Sequence, residues 1–372
     1  MRIPFYDIKA QHQELAEELN AAALEVLANG AYVMGPNHKA FEQEVAELHG
    51  VKHAIAVNSG TDALRIAMDA VGIGPGDEVI TTAFTFVASV ETIVQTGATP
   101  VFVDIDPRTF CMDPAKVAAA INPRTKAILP IHLFGQLAEI EPIVELACAN
   151  ELLVLEDAAQ AFMTRRNGKF AGQFGIAAGY SFYVTKNIGA AGDGGMIVTN
   201  DDETAENCRS IRVHGMGRER YYYDHIGYTS RLDELKCALL RIKLRYLAEW
   251  NARRSKIASI YLDRLADTDL VLPLTSEGNE HTWHQFSVLS DRRNELQSFL
   301  KEREIDSMIY YPVPIHYHAP YQEFGAGEGS LPVTEDVSRR ILNLPIHPHL
   351  TEEAAHHVAD SILAFVGEKV AS

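Results

Sequence analysis

The first two-thirds of the chain alternates short apolar runs with helical spacing. Residues 42–48 predict a helix, and residues 53–57 (HAIAV) predict a strand. Residues 61–71 predict a helix with Leu64, Ala67, Met68 and Val71 on its apolar face. The turn GPGDEV leads into a strand at 79–82, and a helix at 87–95 leads into a strand at 100–104. A strand at 127–131 and a helix at 140–149 follow, then an apolar run at 152–155 closed by Glu156 and Asp157. Strands alternating with helices need right-handed crossovers, which build a mostly parallel α/β sheet flanked by helices. Runs apolar at every position suit strands covered on both faces.

The pattern changes near residue 231. Leu232, Leu235, Leu239, Ile242, Tyr246 and Trp250 recur every three or four residues and predict a long amphipathic helix. A basic helix start (NARRSK), a turn at 273–278, a strand near 285–289, a helix at 294–303 and proline-rich loops at 310–320 and 343–350 come after it. The expected organisation is a large α/β domain at 1–251 and a smaller α+β domain at 252–372.

Composition narrows the function. With 372 residues, 47% of them hydrophobic and 22% charged, the chain has the make-up of a folded globular protein. A net charge of −17 argues against a nucleic-acid surface, which needs lysines and arginines to neutralise phosphates. It leaves room for a local basic pocket. The first residues carry acids and no apolar signal segment, and the longest uncharged stretch, 170–185, is too short and glycine-broken to span a bilayer. Cys111, Cys148, Cys208 and Cys237 are scattered, without a CxxC pair, as expected of free thiols in a reducing cytoplasm. No membrane association is expected.

Three segments that follow apolar runs or open helices could carry chemistry. Asn58-Ser59-Gly60-Thr61-Asp62 opens a helix directly after HAIAV. It suits a phosphate cup, or simple capping by Ser59, Thr61 or Asp62. Glu156-Asp157-Ala158-Ala159-Gln160 places a partly desolvated carboxylate at a strand mouth. Its partner is either a protonated ring nitrogen or a structural arginine or helix cap. In Ser181-Phe182-Tyr183-Val184-Thr185-Lys186, one lysine stands in an uncharged segment. It is either a desolvated nucleophile or a snorkelling surface lysine. P-loop, GxSxG and HExxH patterns are missing. His347-Pro348-His349 and His356-His357 match no zinc spacing, so no metal is expected.

These segments, in this order and at this length, resemble the DegT/DnrJ/EryC1/StrS family of pyridoxal-phosphate sugar aminotransferases. The likeness covers nearly the whole chain. It rests on GTDAL from Gly60, EDAAQA from Glu156, SFYVTKNIGA from Ser181, GDGG from Gly192, GDEVI from Gly76, RVHGM from Arg212, SRLDE from Ser230 and YPVPIH from Tyr311. It implies a fold-type-I, aspartate-aminotransferase-like homodimer with shared active sites. By position, Lys186 becomes the Schiff-base lysine, Asp157 the partner of the pyridinium nitrogen, and Gln160 a neighbour of the ring hydroxyl. Gly60, Thr61 and Ser181 become phosphate ligands, and Phe86 the aromatic stacked on the ring. Lys186 would also move the proton between substrate carbon and cofactor. The substrates implied are glutamate, leaving 2-oxoglutarate, and a nucleotide-linked keto sugar.

Some positions depart from the family pattern. Val184 and Ala191 replace a common proline and tyrosine, and Met163-Thr164 replaces a glycine-rich run. Thr229 stands where many members place an asparagine that reaches the partner subunit's phosphate. Lys186 argues against the dehydratase branch, which typically has histidine there. The stretches Arg212–Gly215, Arg220–Tyr223 and Ser230–Asp233 look more like the branch that aminates C3; the alternative is amination at C4 of a 4-keto-6-deoxy sugar. Arg231 is a candidate for a substrate carboxylate, or for pairing with Asp233 or Glu234. His316 is a candidate sugar or diphosphate contact, or a packed loop residue.

Overall fold

The computed structural model describes residues 2–367. Its strands are β1 (His53–Val57), β2 (Glu78–Thr82), β3 (Thr99–Val103), β4 (Thr125–Ile128), β5 (Leu153–Asp157), β6 (Arg165–Arg166), β7 (Lys169–Phe170), β8 (Ala177–Ser181), β9 (Gly195–Thr199), β10 (Asn279–Glu280), β11 (Phe286–Leu289) and β12 (Ile341–Leu344). Seven of them form one sheet in the order β1-β9-β8-β5-β4-β2-β3. β9 runs against both of its neighbours, and the other pairings are parallel. Helices cover both faces, so β2 and β9 are buried at every position, as doubly covered parallel sheets require. The carboxyl ends of the parallel strands and the start of β9 meet at one edge, where open α/β sheets collect ligands.

β1 and the helix Ile140–Ala149 fall where the apolar pattern put them. β8 and β9 were not foreseen. β8 reads AAGYS, a weak strand sequence whose glycine lets the helix residue Leu64 pack close against it. A Cβ at Gly179 would lie 2.9 Å from the Leu64 side chain.

The long helix was expected to stop at Trp250 and a second to start at NARRSK; the two are one helix, Glu234–Leu265. Arg254 is why a basic run can continue inside: it is buried and donates to the carbonyls of Trp283 and Ile346. The expected division after residue 251 therefore falls inside a helix. Trp250 packs in the large core, whereas Ile257, Tyr261 and Leu265 pack in a second core with β11, β12 and the helix Glu352–Gly367. Ile3 joins that second core and pairs with Ile305. All four cysteines are free; Cys111, Cys208 and Cys237 are buried and Cys148 is exposed. No helix among the described residues is long and apolar enough to cross a membrane.

Candidate active site

A cavity of about 660 Å³ opens at the carboxyl edge of the sheet. Its lining brings together Gly60, Thr61, Phe86, Asp157, Gln160, Ser181 and Lys186, which lie far apart in sequence. Each sits at the end of a strand, just past one, or on the helix that a strand leads into, which is what gathers them.

β1 feeds the helix Gly60–Ala70, whose cap Ser59 accepts from the Asp62 N–H at 3.0 Å. The Gly60 and Thr61 N–H groups belong to the first turn, which has no helical acceptor, and they carry the positive end of the helix dipole. Two neighbours must stay small to keep this cradle. A Cβ at Gly60 would lie 2.7 Å from Ser181 Cβ, and one at Gly195 would lie 2.1 Å from the Ser59 carbonyl oxygen. Capping and an anion cup therefore coexist here.

β5 delivers Asp157, 5% exposed, whose Oδ1 accepts from the Ala159 N–H at 3.1 Å. Gln160 follows on the same turn. Its Oε1 accepts from the Phe134 N–H at 2.8 Å, and its Nε2 donates to the Tyr311 hydroxyl at 2.9 Å. Phe134 and Tyr311 hold φ of 57° and 44°, strained for residues with side chains, and their rings lie 4° from parallel. One Gln160 N–H remains for the cavity.

The loop after β8 carries Lys186. It is half-buried and lines the cavity. Burial lowers its pKa to about 8, against the opposing pull of the Asp157 charge. The next residue, Asn187, is locked: its Nδ2 donates to Asn251 Oδ1 and the Thr282 carbonyl, and its Oδ1 faces His284 Nδ1 at 3.1 Å. His284 lines the cavity too, and burial followed by the Lys186 charge holds it well below the usual histidine range. Phe86 is 58% exposed although Ala83, Phe84 and Thr85 before it are buried, so its ring is free to cover a ligand.

Three expected residues do not line this cavity. Thr229 is exposed, and its hydroxyl meets His214 Nε2 at 2.8 Å. Arg231 is half-buried, and neither expected acid pairs with it. Glu234 instead accepts from the N–H groups of Asn37 and His38, and Asp233 pairs with Lys236. His316 is buried in a short 3-10 turn against Phe102, with Nε2 3.4 Å from Glu335, so it does not reach the cavity from its own chain. The cavity also holds Tyr6, Ser89, His132, His284, Gln285 and Tyr311, none of which the sequence reading singled out as site residues. Of these, only Tyr311 fell inside a motif noticed there.

A glycine-floored helix N-terminus, a buried acid, a low-pKa lysine and an uncovered aromatic, arranged on this sheet, define a pyridoxal-phosphate enzyme of fold type I. The residues present fit that cofactor, because the glycine cradle leaves backbone N–H groups free for a phosphate and the cavity floor supplies an acid and an amine. The chain belongs to the DegT/DnrJ/EryC1/StrS aminotransferase family, whose model matches residues 13–363. It is 46% identical over 368 residues to a pleiotropic regulatory protein of Geobacillus stearothermophilus, covering 98% of this chain and 99% of that one. It is 44% identical over 362 residues to the dTDP-3-amino-3,4,6-trideoxy-alpha-D-glucose transaminase of Streptomyces venezuelae, covering 97% and 95%. The crystal structure of S. venezuelae DesV in complex with a ketimine intermediate matches with a TM-score of 0.96 at 44% identity, covering 98% of each chain. The protein is thus an aminotransferase that depends on pyridoxal phosphate.

Proposed function

We propose that the protein moves an amino group from glutamate to the C3 keto group of a nucleotide-linked sugar. The observation that carries the reading is Lys186, a desolvated amine sharing one cavity with Asp157 and the Gly60–Thr61 helix start. The name of the S. venezuelae relative, a 3-amino-sugar transaminase, supports amination at C3.

When bound, the cofactor supplies an electron sink for the carbon that loses its proton. The chain does the rest. Gly60, Thr61 and Ser181 hold the phosphate, Phe86 covers the ring, and Gln160 offers its remaining N–H to the ring hydroxyl. Asp157 keeps the ring nitrogen protonated. Lys186, neutral in an appreciable fraction near pH 8, takes a proton at Nζ and returns it on the other side of the transferred nitrogen.

The charge balance supports a homodimer with shared sites. Lys186 is the lone lysine or arginine on this cavity among the described residues, facing Asp157 and Asp193. A dicarboxylate donor and a sugar diphosphate need more cations than that. Arg231 is half-buried, with Thr229 and the exposed Tyr221, Tyr222, Tyr223 and Ile226 nearby in sequence. A groove with Ala22, Leu48, Met163 and Ile242 on its floor and Glu25, Glu44, Arg241 and Arg245 among its lining, with exposed Leu24 and Leu27 on the helix of Ala22, suits a second copy. Three buried, unpaired thiols suit a cytoplasmic setting.

Two experiments test this. Enzyme loaded with pyridoxamine 5′-phosphate is mixed with a panel of 3-keto and 4-keto nucleotide sugars; the 3-keto compounds are expected to restore the pyridoxal absorbance fastest. Faster recovery with 4-keto compounds overturns the C3 assignment, and recovery with none overturns the sugar. For the shared site, Lys186→Ala chains are mixed with Arg231→Ala chains. Each is inactive alone, and the mixture recovers activity because one hybrid site is whole. No recovery in a verified hybrid counts against the partner's Arg231.

A further inference from the structure

Asp157 does not stand alone on the cavity floor. Its Oδ2 lies 2.6 Å from Ser89 Oγ, a residue 68 positions earlier in the chain. Ser89 occupies the first turn of the helix Ala88–Thr96 and is 1% exposed. Its Oγ also lies 2.9 Å from Thr85 Oγ1 and 3.2 Å from the Phe86 carbonyl. A serine has one proton to give. The shortest contact is to a carboxylate, which only accepts when ionised, and 2.6 Å lies in the range of hydroxyl–carboxylate hydrogen bonds. The proton therefore goes to Asp157, and Thr85 donates in turn to Ser89. The three form an ordered relay, Thr85 to Ser89 to Asp157, in a buried setting where successive hydrogen bonds strengthen one another.

Asp157 is thereby gripped from two sides, by Ala159 N–H on Oδ1 and by Ser89 on Oδ2. A carboxylate has about four acceptor sites, so two remain for the cavity. We propose that Ser89 is the positioning residue that fixes the orientation of the Asp157 carboxylate and aims it at the cofactor ring, with Thr85 orienting Ser89. This rests on the reading of Asp157 as the partner of the ring nitrogen, and extends it to the residues that set its strength. Removing the serine hydroxyl takes away one of the two donors that hold the carboxylate in place, so its oxygen no longer faces the ring nitrogen squarely and that nitrogen holds its proton less firmly. A less positive ring is a poorer electron sink.

The test loads the enzyme with pyridoxal phosphate labelled with nitrogen-15 in the ring and records the ring-nitrogen resonance for four proteins: wild type, Ser89→Ala, Ser89→Thr and Asp157→Asn. Wild type gives a protonated-pyridine signal. Ser89→Ala, which deletes one buried oxygen, moves it toward the neutral-pyridine position and raises the cofactor dissociation constant about tenfold, a change of ~1.4 kcal/mol. Its kcat falls while KM for the sugar stays put, because sugar contacts are untouched. Ser89→Thr keeps the hydroxyl and recovers the signal. Should Thr crowd the site, Thr85→Val serves instead and moves the resonance the same way by less. An unchanged resonance and affinity in Ser89→Ala, with both changed in Asp157→Asn, overturns the role of Ser89 alone. Should Asp157→Asn change neither, the reading of Asp157 falls and this inference with it.

Discussion

Replacing Lys186 with alanine exchanges the absorbance band of the lysine-linked cofactor for that of the free aldehyde and lowers turnover by roughly 10⁴-fold or more, because one side chain supplies both the covalent tether and the proton carrier. The structure also sets the pH at which the tether forms. Burial brings the Lys186 amine down to about 8, with Asp157 pulling the other way. Only the neutral amine attacks a carbonyl, so capture of pyridoxal phosphate by the cofactor-free protein accelerates as pH rises and levels off just above 8. An exposed lysine would keep gaining up to about 10.4. Stopped-flow absorbance between pH 6 and 10.5 separates the two: a rate still climbing at pH 10 shows that the amine is solvated and the cavity argument is wrong. Lys186→Arg, which keeps a cation but cannot form the tether, is expected to match alanine in spectrum and turnover.

Most of this site was legible because its residues follow the strands that the apolar pattern already marks. Gly60 and Thr61 come just after HAIAV, and Asp157 closes LLVL, so local sequence and tertiary position coincide. Lys186 showed itself as one charge in an uncharged run. What stayed hidden comes from distant segments joined by packing. Ser89 reads as an ordinary residue in a helical pattern until the sheet sets it against Asp157. His284 reaches the cavity through a hydrogen bond to Asn187, 97 positions away. For His316 the proline-rich context left two readings open, a substrate contact or a packed loop residue, and the structure packs its turn against Phe102 and Glu335. The end of the long helix was missed for a related reason. NARRSK is polar enough to mark a boundary, and nothing local tells that Arg254 finds buried carbonyls.

Glu156→Gln is expected to destabilise the fold by about 3–5 kcal/mol, although it changes one atom, because two buried donors would then face an amide N–H₂. Glu156 precedes Asp157 on β5 and points to the opposite face of the sheet, where it is fully buried. Its Oε1 accepts from the N–H groups of Phe174 and Gly175, and its Oε2 from Gly172 N–H and His132 Nε2. His132 must carry its proton on Nε2, since its Nδ1 accepts from the Ala138 N–H. Every contact around the carboxylate is a donor, so an amide fits in neither orientation. Burial by itself would raise the Glu156 pKa, but the hydrogen bonds from His132 and the backbone N–H groups outweigh it and leave it lowered. A carboxyl lowered on folding adds stability that is complete above its unfolded pKa, about 4.3, and fades as pH drops through the folded value. The glutamine variant has no such group. Urea unfolding from pH 7 downward should therefore show a large gap between the two proteins that begins to close below about pH 4. A gap that stays constant down to pH 3 would show that Glu156 is not held as the charged form, and that the donors around it are satisfied by other means.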